Sequence, residues 1–314
     1  MRILVFSSLY PNSVSPHLGL FVHRRAEAVS RRGVDVRVMA PVPYFPRRLP
    51  VRRWRAYAYV PARERIAGIT VMHPRYLHAP GPGMYVQAAS LAACMHRHVR
   101  AVQREFAFDL IDAHYVYPDG VAAVALGRAL GVPVVLTARG SDINLLPQFP
   151  LVRRQIGWAL RHASALVGVS GALVERMLQL GAPPDRVRTV PNGVDRSRFA
   201  YGDSAEARRS LGLYSDEILL LSVGNLNELK GHALMIEALA LLRQRGVRAN
   251  LHIVGEGPER RSLEERIVAL DLHKQVVLQG SIPNERLGRW YQAATLFVLA
   301  SSREGWPNVL NEAL

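Results

Sequence analysis

Glu304 and Glu312 stand with seven residues between them, directly after the apolar run Leu296-Phe297-Val298-Leu299. Gly305 and Pro307 keep Glu304 in a loop at the carboxyl end of that expected strand. Pro307 suits the first turn of a helix, where a missing N–H costs nothing. Glu312 then falls more than one turn inside a helix whose amino end faces the same crevice. The N–H groups at such an end attract a diphosphate, and a carboxylate deeper in accepts hydrogen bonds from the diol of a ribose or sugar. An ordinary strand-loop-helix corner with two solvated glutamates would read the same way, so the pair alone does not decide. A second element lies upstream, in Ser222-Val223-Gly224-Asn225-Leu226-Asn227-Glu228-Leu229-Lys230-Gly231-His232, where a strand ends in glycine and a helix begins after Lys-Gly. Gly224 lets backbone approach a ligand closely. Lys230, one of two lysines in the chain, brings a point charge to phosphate oxygens at that helix start. The plain alternative is a strand-to-helix turn with a surface lysine.

The first half offers polar groups at two expected strand ends. Asp112-Ala113-His114-Tyr115 closes one strand and puts His114 at the lip of a crevice; Thr137-Ala138-Arg139-Gly140-Ser141-Asp142 closes the next. A lone histidine is more often structural than catalytic, but two neighbouring ends on one edge favour a site. The first connection, Leu9 to Val22, is long, with Gly19 at a helix start; it can touch phosphate or sugar, or simply be a surface loop. No GxGxxG follows the first strand, which disfavours a nicotinamide or flavin dinucleotide.

These residues need a scaffold of strand ends, and the pattern supplies one. In the first half, strands are expected at residues 2–8, 34–40, 70–73, 110–114, 132–137, 165–170 and 188–191. Helices are expected between them at 20–32, 85–105, 120–130 and 172–180. After the turn cluster Pro191-Asn192-Gly193-Val194-Asp195 the alternation resumes, with strands at 218–223, 250–254, 276–279 and 295–299 and helices at 232–245, 258–270 and 284–293. Such alternation argues for doubly wound parallel sheets. Two domains are expected, residues 1–195 and 196–314, leaving a crevice at the carboxyl edges of their sheets. The second shows four strands where about six are usual for a doubly wound unit, and the chain stops in mid-helix at Leu314, so it reads as truncated.

The 314 residues carry a formal charge of +15, unevenly placed. Residues 1–195 hold 25 Arg and no Lys against 11 Asp and Glu, whereas residues 196–314 hold 15 basic against 14 acidic residues. Between Pro41 and Arg65, Tyr44, Phe45, Trp54, Tyr57 and Tyr59 are interleaved with Arg47, Arg48, Arg52, Arg53, Arg55, Arg63 and Arg65. Arginine beside interfacial aromatics fits an anionic bilayer surface; a solvated loop is the plain alternative. Nucleic acid ranks last, since no binding motif for it is present. Cys94, the single cysteine, is expected in a helical core; it excludes an internal disulfide and any multi-thiolate zinc site. No signal peptide is legible at the start, and a cytosolic setting fits.

Together, Ser7-Ser8-Leu9-Tyr10-Pro11-Asn12, the Asp112–Gly120 and Thr137–Asp142 stretches, the Gly…Lys-Gly turn and the Glu-x7-Glu element resemble the family-4 retaining glycosyltransferases of GT-B fold. The likeness spans nearly the whole chain and is closest to the teichuronic-acid-biosynthesis-type subgroup. It implies two tandem Rossmann-like domains facing each other across a cleft, an N-terminal one for the acceptor and a C-terminal one for a nucleotide-diphosphate-sugar. By that resemblance Glu304 contacts donor-sugar hydroxyls near the reacting face, Glu312 holds the ribose, and Lys230 neutralises the diphosphate. His114 lines the reaction centre, Gly19 approaches donor phosphate and acceptor, and backbone at Asn308 and Val309 meets the phosphates. Transfer retains anomeric configuration and needs no metal or other cofactor. Asn225 departs from the pattern, since the family commonly has a diphosphate-binding arginine there; Arg303 or Arg139 is the expected substitute.

The expected function is therefore sugar transfer to a hydroxyl of a lipid-linked or cell-envelope glycan, by a cytoplasmic enzyme peripheral at the inner membrane face and without nucleic acid. Two rivals share parts of the pattern. A GT-B-fold sugar-nucleotide epimerase would use the same donor contacts, and an inactive membrane-binding fragment would need only the basic half.

Overall fold

The strand-helix alternation is realised mainly as two sheets, one in each half of the chain, whose strands are parallel but for one at an edge. The computed structural model describes residues 1–45, 55–78, 81–213 and 217–314. Residues 1–192 and 193–314 form two compact units.

In the first unit, β1 (Arg2–Phe6), β2 (Asp35–Met39), β3 (Val42–Pro43), β4 (Arg63–Ile66), β5 (Ile69–Met72), β6 (Arg75–Tyr76), β7 (Leu110–His114), β8 (Val134–Ala138), β9 (Ala165–Gly168) and β10 (Val187–Thr189) follow in chain order. Eight of them make one sheet in the order β10-β9-β8-β7-β1-β2-β5-β4, and β3 pairs separately with β6. Only β4 runs antiparallel, against β5. Helices Leu20–Ser30, Gln87–Phe106, Val121–Leu130, Pro150–His162 and Gly171–Gln179 connect the strands. Central strands are buried, with Leu4, Phe6, Ile111 and Leu136 fully enclosed, which is why these segments read as near-continuous apolar runs.

The second unit contains β11 (Ile218–Val223), β12 (Ala249–Val254), β13 (Val276–Gly280) and β14 (Leu296–Phe297). They form an all-parallel sheet in the order β13-β12-β11-β14. Ile236 and Leu239 of the helix His232–Gln244 pack with Leu251 and Ile253 of β12 in one apolar cluster. Asn284–Ala293 covers β11 through Leu287 and Trp290.

Several expectations change here. The arginine-rich segment is not one basic loop: Arg63–Ile66 is an edge strand, joined to β5 through Ala67 and Gly68, both at positive φ. Exposed charges on alternate residues are how an edge strand discourages further pairing. Arg47, Arg48, Arg52, Arg53 and the aromatic Trp54 lie outside the described residues. Pro150–His162 and Ser204–Ser210 are helices that periodicity did not single out. The last strand is shorter than expected, Leu296–Phe297, because it pairs only with Leu220 and Leu221 of β11. Cys94 is half-buried and free, not a core residue.

Candidate functional site

In the second unit, the loops after β11, β12 and β14 are built against one another by backbone. Gly224 N–H donates to Val254 O and Leu226 N–H to Glu256 O, at 2.9 and 3.0 Å. A Cβ on Gly255 would sit 1.9 Å from Gly224 O, and one on Gly257 2.3 Å from Leu226 O. Neither glycine was singled out from the sequence, although a Gly-x-Gly directly after a strand is the signal of such an approach. On the other side of β11, Gly231 has φ +66° and a Cβ there would meet Ala300 O at 2.3 Å. Ser302 N–H donates to Leu229 O at 2.9 Å.

This packing brings Lys230 and Glu304 together: Nζ lies 2.5 Å from Oε1, with the two side chains 23% and 24% exposed. They are 74 residues apart, and their meeting is a product of the β11–β14 pairing. The Lys230 stem runs over Gly224, 3.6–3.7 Å from where a Cβ would stand. On β11 and on the segments that follow β11 and β14, Ser222 Oγ, Asn227 Oδ1, Ser301 Oγ and Trp306 Nε1 are buried without hydrogen-bond partners. Asn225 and Arg303 are exposed. Pro307 caps the helix Asn308–Ala313, so Asn308 and Val309 form its first turn. Glu312, one turn on, is only 8% exposed and accepts a hydrogen bond from Tyr291 OH at 3.2 Å.

In the first unit, two buried carboxylates tie the carboxyl edges of β1, β7 and β8. Asp142 accepts from the N–H groups of Val116 (2.7 Å), Gly140 (2.7 Å) and Arg139 (3.1 Å). Asp119 accepts from Ser8 N–H at 2.7 Å and Ser8 Oγ at 2.8 Å. Gly19, in the first connection, has φ +63° and a Cβ there would fall 2.2 Å from Leu9 O. Neither carboxylate has a role legible in the sequence, since Ser8, which binds Asp119, and Val116, which binds Asp142, lie in other loops.

His114, expected at the lip of a crevice, closes β7 and is 1% exposed. Its Nδ1 faces Arg139 Nη2 at 3.0 Å, and its Nε2 lies 3.3 Å from Asp112 Oδ2. Arg139 also donates from Nη1 to Asn192 Oδ1 at 2.6 Å, and its guanidinium lies over the Phe21 ring, 5.0 Å from the centroid. Arg25 Nε is 3.7 Å from Asp112 Oδ2. Burial, reinforced by the cations Arg139 and Arg25 against the pull of Asp112, pushes His114 down to about 4. Burial would raise Asp112, but His114, Arg25 and Arg139 hold it below the ordinary carboxylate value. Burial and Arg25 push Arg139 down to about 10, still a cation at neutral pH.

Burial raises Asp119 to about 7, against the hydrogen bonds from Ser8. The stability slopes of Asp119 and His114 oppose each other. Between pH 6.5 and about 4 the unfolded imidazole binds a proton that the folded one refuses, so acid favours unfolding. Over the same range the folded Asp119 keeps a proton that the unfolded carboxyl, with its ordinary value of 3.8, has shed, so acid favours folding. Asp119→Asn removes only the second effect while keeping an acceptor for Ser8. Urea unfolding of that variant is expected to show stability falling more steeply with acid, from pH 6.5 to 4.5, than the parent does; parallel slopes would contradict the assignment.

Among the described residues, no three His, Cys, Asp or Glu side chains converge as metal ligands, and no helix is long and apolar enough to cross a membrane.

Comparison with known proteins places this geometry. The family model described as "Glycosyltransferase Family 4" matches residues 18–198, and "Glycosyl transferases group 1" matches residues 203–314. TuaC of Bacillus subtilis (strain 168), named as a teichuronic acid biosynthesis glycosyltransferase, is 32% identical over 100% of this chain and 78% of its own. A D-inositol 3-phosphate glycosyltransferase of Acidothermus cellulolyticus is 32% identical over 94% of this chain and 68% of its own. Among solved structures, a sucrose-phosphate synthase from Thermosynechococcus elongatus superposes with a TM-score of 0.73 at 19% identity, covering 99% of this chain and 78% of that one. Anabaena Alr3699/HepE in complex with UDP gives 0.71 at 18%, covering 100% and 78%. At these identities the two structures bear on the fold alone.

Proposed function

The chain belongs to the family-4 glycosyltransferases of GT-B fold, and on that premise we propose that it moves a sugar from a nucleotide-diphosphate-sugar to a hydroxyl of a lipid-linked or cell-envelope glycan, with retention of configuration and without a metal. The observation that carries this reading is the meeting of Lys230 and Glu304 at 2.5 Å. In the empty protein the two neutralise each other. A donor diphosphate takes over the ammonium, and the freed carboxylate accepts from hydroxyls of the transferred sugar. Glu312, oriented by Tyr291, holds the ribose diol. Backbone at Asn308 and Val309, with that at Gly224, meets the phosphates.

In the transfer step the bond from the anomeric carbon to the diphosphate oxygen breaks as the acceptor oxygen bonds to the same face of that carbon. The acceptor proton passes to the departing phosphate oxygen. Charge develops on the diphosphate, and Lys230 is placed where a preorganised cation lowers that barrier.

Asn225 supplies no charge, and Arg139 is committed to His114 and Asn192, so the missing cation is assigned to exposed Arg303. Arg303→Ala is expected to weaken nucleoside-diphosphate binding about tenfold, the loss of one charge-assisted contact, with an unchanged melting temperature. Unaltered affinity by calorimetry would remove Arg303 from the site.

Membrane proximity is part of the proposal. Tyr44, Tyr59, Leu77 and Val86 are 53–68% exposed, in the half of the chain that holds nearly all the excess positive charge. Apolar and aromatic groups beside arginine suit the inner leaflet, where a lipid-linked acceptor would be met. The direct test is a thermal-shift screen of nucleoside diphosphates, followed by transfer of labelled sugar to membrane lipid extracts. Saturating ligand should raise stability by about 2.7 kcal/mol at a hundred times its Kd. No stabilisation by any nucleoside diphosphate would end this reading.

A further inference from the structure

The polar cluster at the carboxyl edge of the first sheet has a property that follows from hydrogen-bond inventory alone. His114 on β7 is in register with Thr137 on β8, so Asp112, His114 and Thr137 project from one face of the sheet. Arg139 follows two residues after Thr137. Its Nη2 lies 3.0 Å from His114 Nδ1, its Nη1 is used on Asn192 Oδ1, and Phe21 lies against the guanidinium plane. A guanidinium has donors only. His114 Nδ1 must therefore be the acceptor, and a neutral ring must carry its proton on Nε2. That Nε2 is buried 3.3 Å from Asp112 Oδ2, a carboxylate oxygen able to accept its proton's hydrogen bond; Asp112 Oδ1 and Thr137 Oγ1 are buried without hydrogen-bond partners.

We propose that Arg139 is a positioning residue: with Asp112 on the other side of the ring, it fixes His114 as the neutral Nε2–H tautomer and denies the imidazole any role as a base. This deepens the reading of His114 as a lining of the sugar site and rests on it for the link to turnover. The chemical consequence is specific. One ring nitrogen is occupied by Arg139 and the other already holds the proton, so the proton leaving the acceptor hydroxyl has no place on His114. It must go elsewhere, as transfer to the leaving phosphate allows. The charged groups facing the ring are Asp112 from β7, Arg139 from the loop after β8, and Arg25 from the helix Leu20–Ser30. Two of the three are cations, which keeps the ring from taking a second proton.

Nitrogen NMR of the intact, histidine-labelled protein tests this without reference to activity. The His114 signals are identified by their loss in His114→Gln. They are expected to show a protonated Nε2 and an unprotonated Nδ1, unchanged from pH 8 to pH 5. A protonated Nδ1, or titration within that range, would overturn the proposal in the parent protein itself. In Arg139→Met the ring should become a mixture of tautomers and titrate closer to the ordinary histidine range, whereas Arg139→Lys, which keeps a donor, should restore the single form at least in part. With a turnover assay in hand, Arg139→Met should lower kcat about tenfold with KM for the donor within a factor of two. A loss confined to donor KM would instead make Arg139 a phosphate ligand and refute the positioning role. If no sugar transfer is found at all, the functional reading fails while the tautomer result still stands or falls on the spectrum.

Discussion

Lys230→Met is expected to lower kcat/KM for sugar transfer by about 10²–10³-fold, the usual consequence of removing one preorganised group aimed at developing charge. The melting temperature should stay within about 2 °C. The two halves of this expectation come from the same geometry. The methylene stem of Lys230 packs over Gly224, and methionine keeps most of that contact. The ion pair with Glu304 is about one-quarter exposed on each side, so its contribution to folding is screened and small. What the substitution removes is the cation itself, in a chain with no arginine at position 225 to share the diphosphate charge. The companion change Glu304→Gln should also depress turnover, but by a different route. It frees Lys230 from its neutralising partner, so nucleoside-diphosphate affinity should hold or improve while kcat falls. If Lys230→Met leaves turnover within a factor of three of the parent, the diphosphate is held elsewhere and the assignment of this half-site is lost.

How far the sequence could be read depends on where each partner lies. Elements whose apolar pattern is local were legible: Leu110–His114, Ile218–Val223 and Asn284–Ala293 fall where expected to the residue. Arg63–Ile66 was not, because its edge position is defined by β5 across a turn and its composition is that of a charged surface. Chemistry-bearing residue types could be named, since glycine, lysine and glutamate at strand ends carry their own signal. Their partners could not. Asp119 reaches a loop 111 residues away, and Lys230 one 74 residues away. His114 was expected at the lip of a crevice, because it closes a strand; how deeply it is buried depends on Arg25 from the first helix and on Arg139, itself stacked on Phe21. That burial, which no local pattern announces, decides which proton the ring carries.

Gly255→Ala should be the most damaging single substitution in the second unit. Two costs combine there. The residue sits at φ +149°, a conformation that side chains rarely adopt, and the added Cβ would lie 1.9 Å from Gly224 O, which is backbone and has no rotamer to retreat into. Relief requires the loop after β11 to move away from β12, breaking the hydrogen bonds of Gly224 N–H to Val254 O and Leu226 N–H to Glu256 O. Strained backbone alone costs about 1–3 kcal/mol, and a lost pair of buried backbone bonds adds roughly as much again. A fall of about 10 °C or more in the unfolding of this unit is therefore expected, together with loss of nucleoside-diphosphate binding, since Gly224 and Lys230 ride on the displaced loop. Gly246→Ala is the control that separates the two costs. Gly246 is also at positive φ, +80°, but an added Cβ there meets nothing within 4 Å, so only the conformational penalty of about 1 kcal/mol should appear. Equal losses in the two variants would mean that backbone contact between the β11 and β12 loops contributes nothing, and that the donor half-site is not held in the way its glycines indicate.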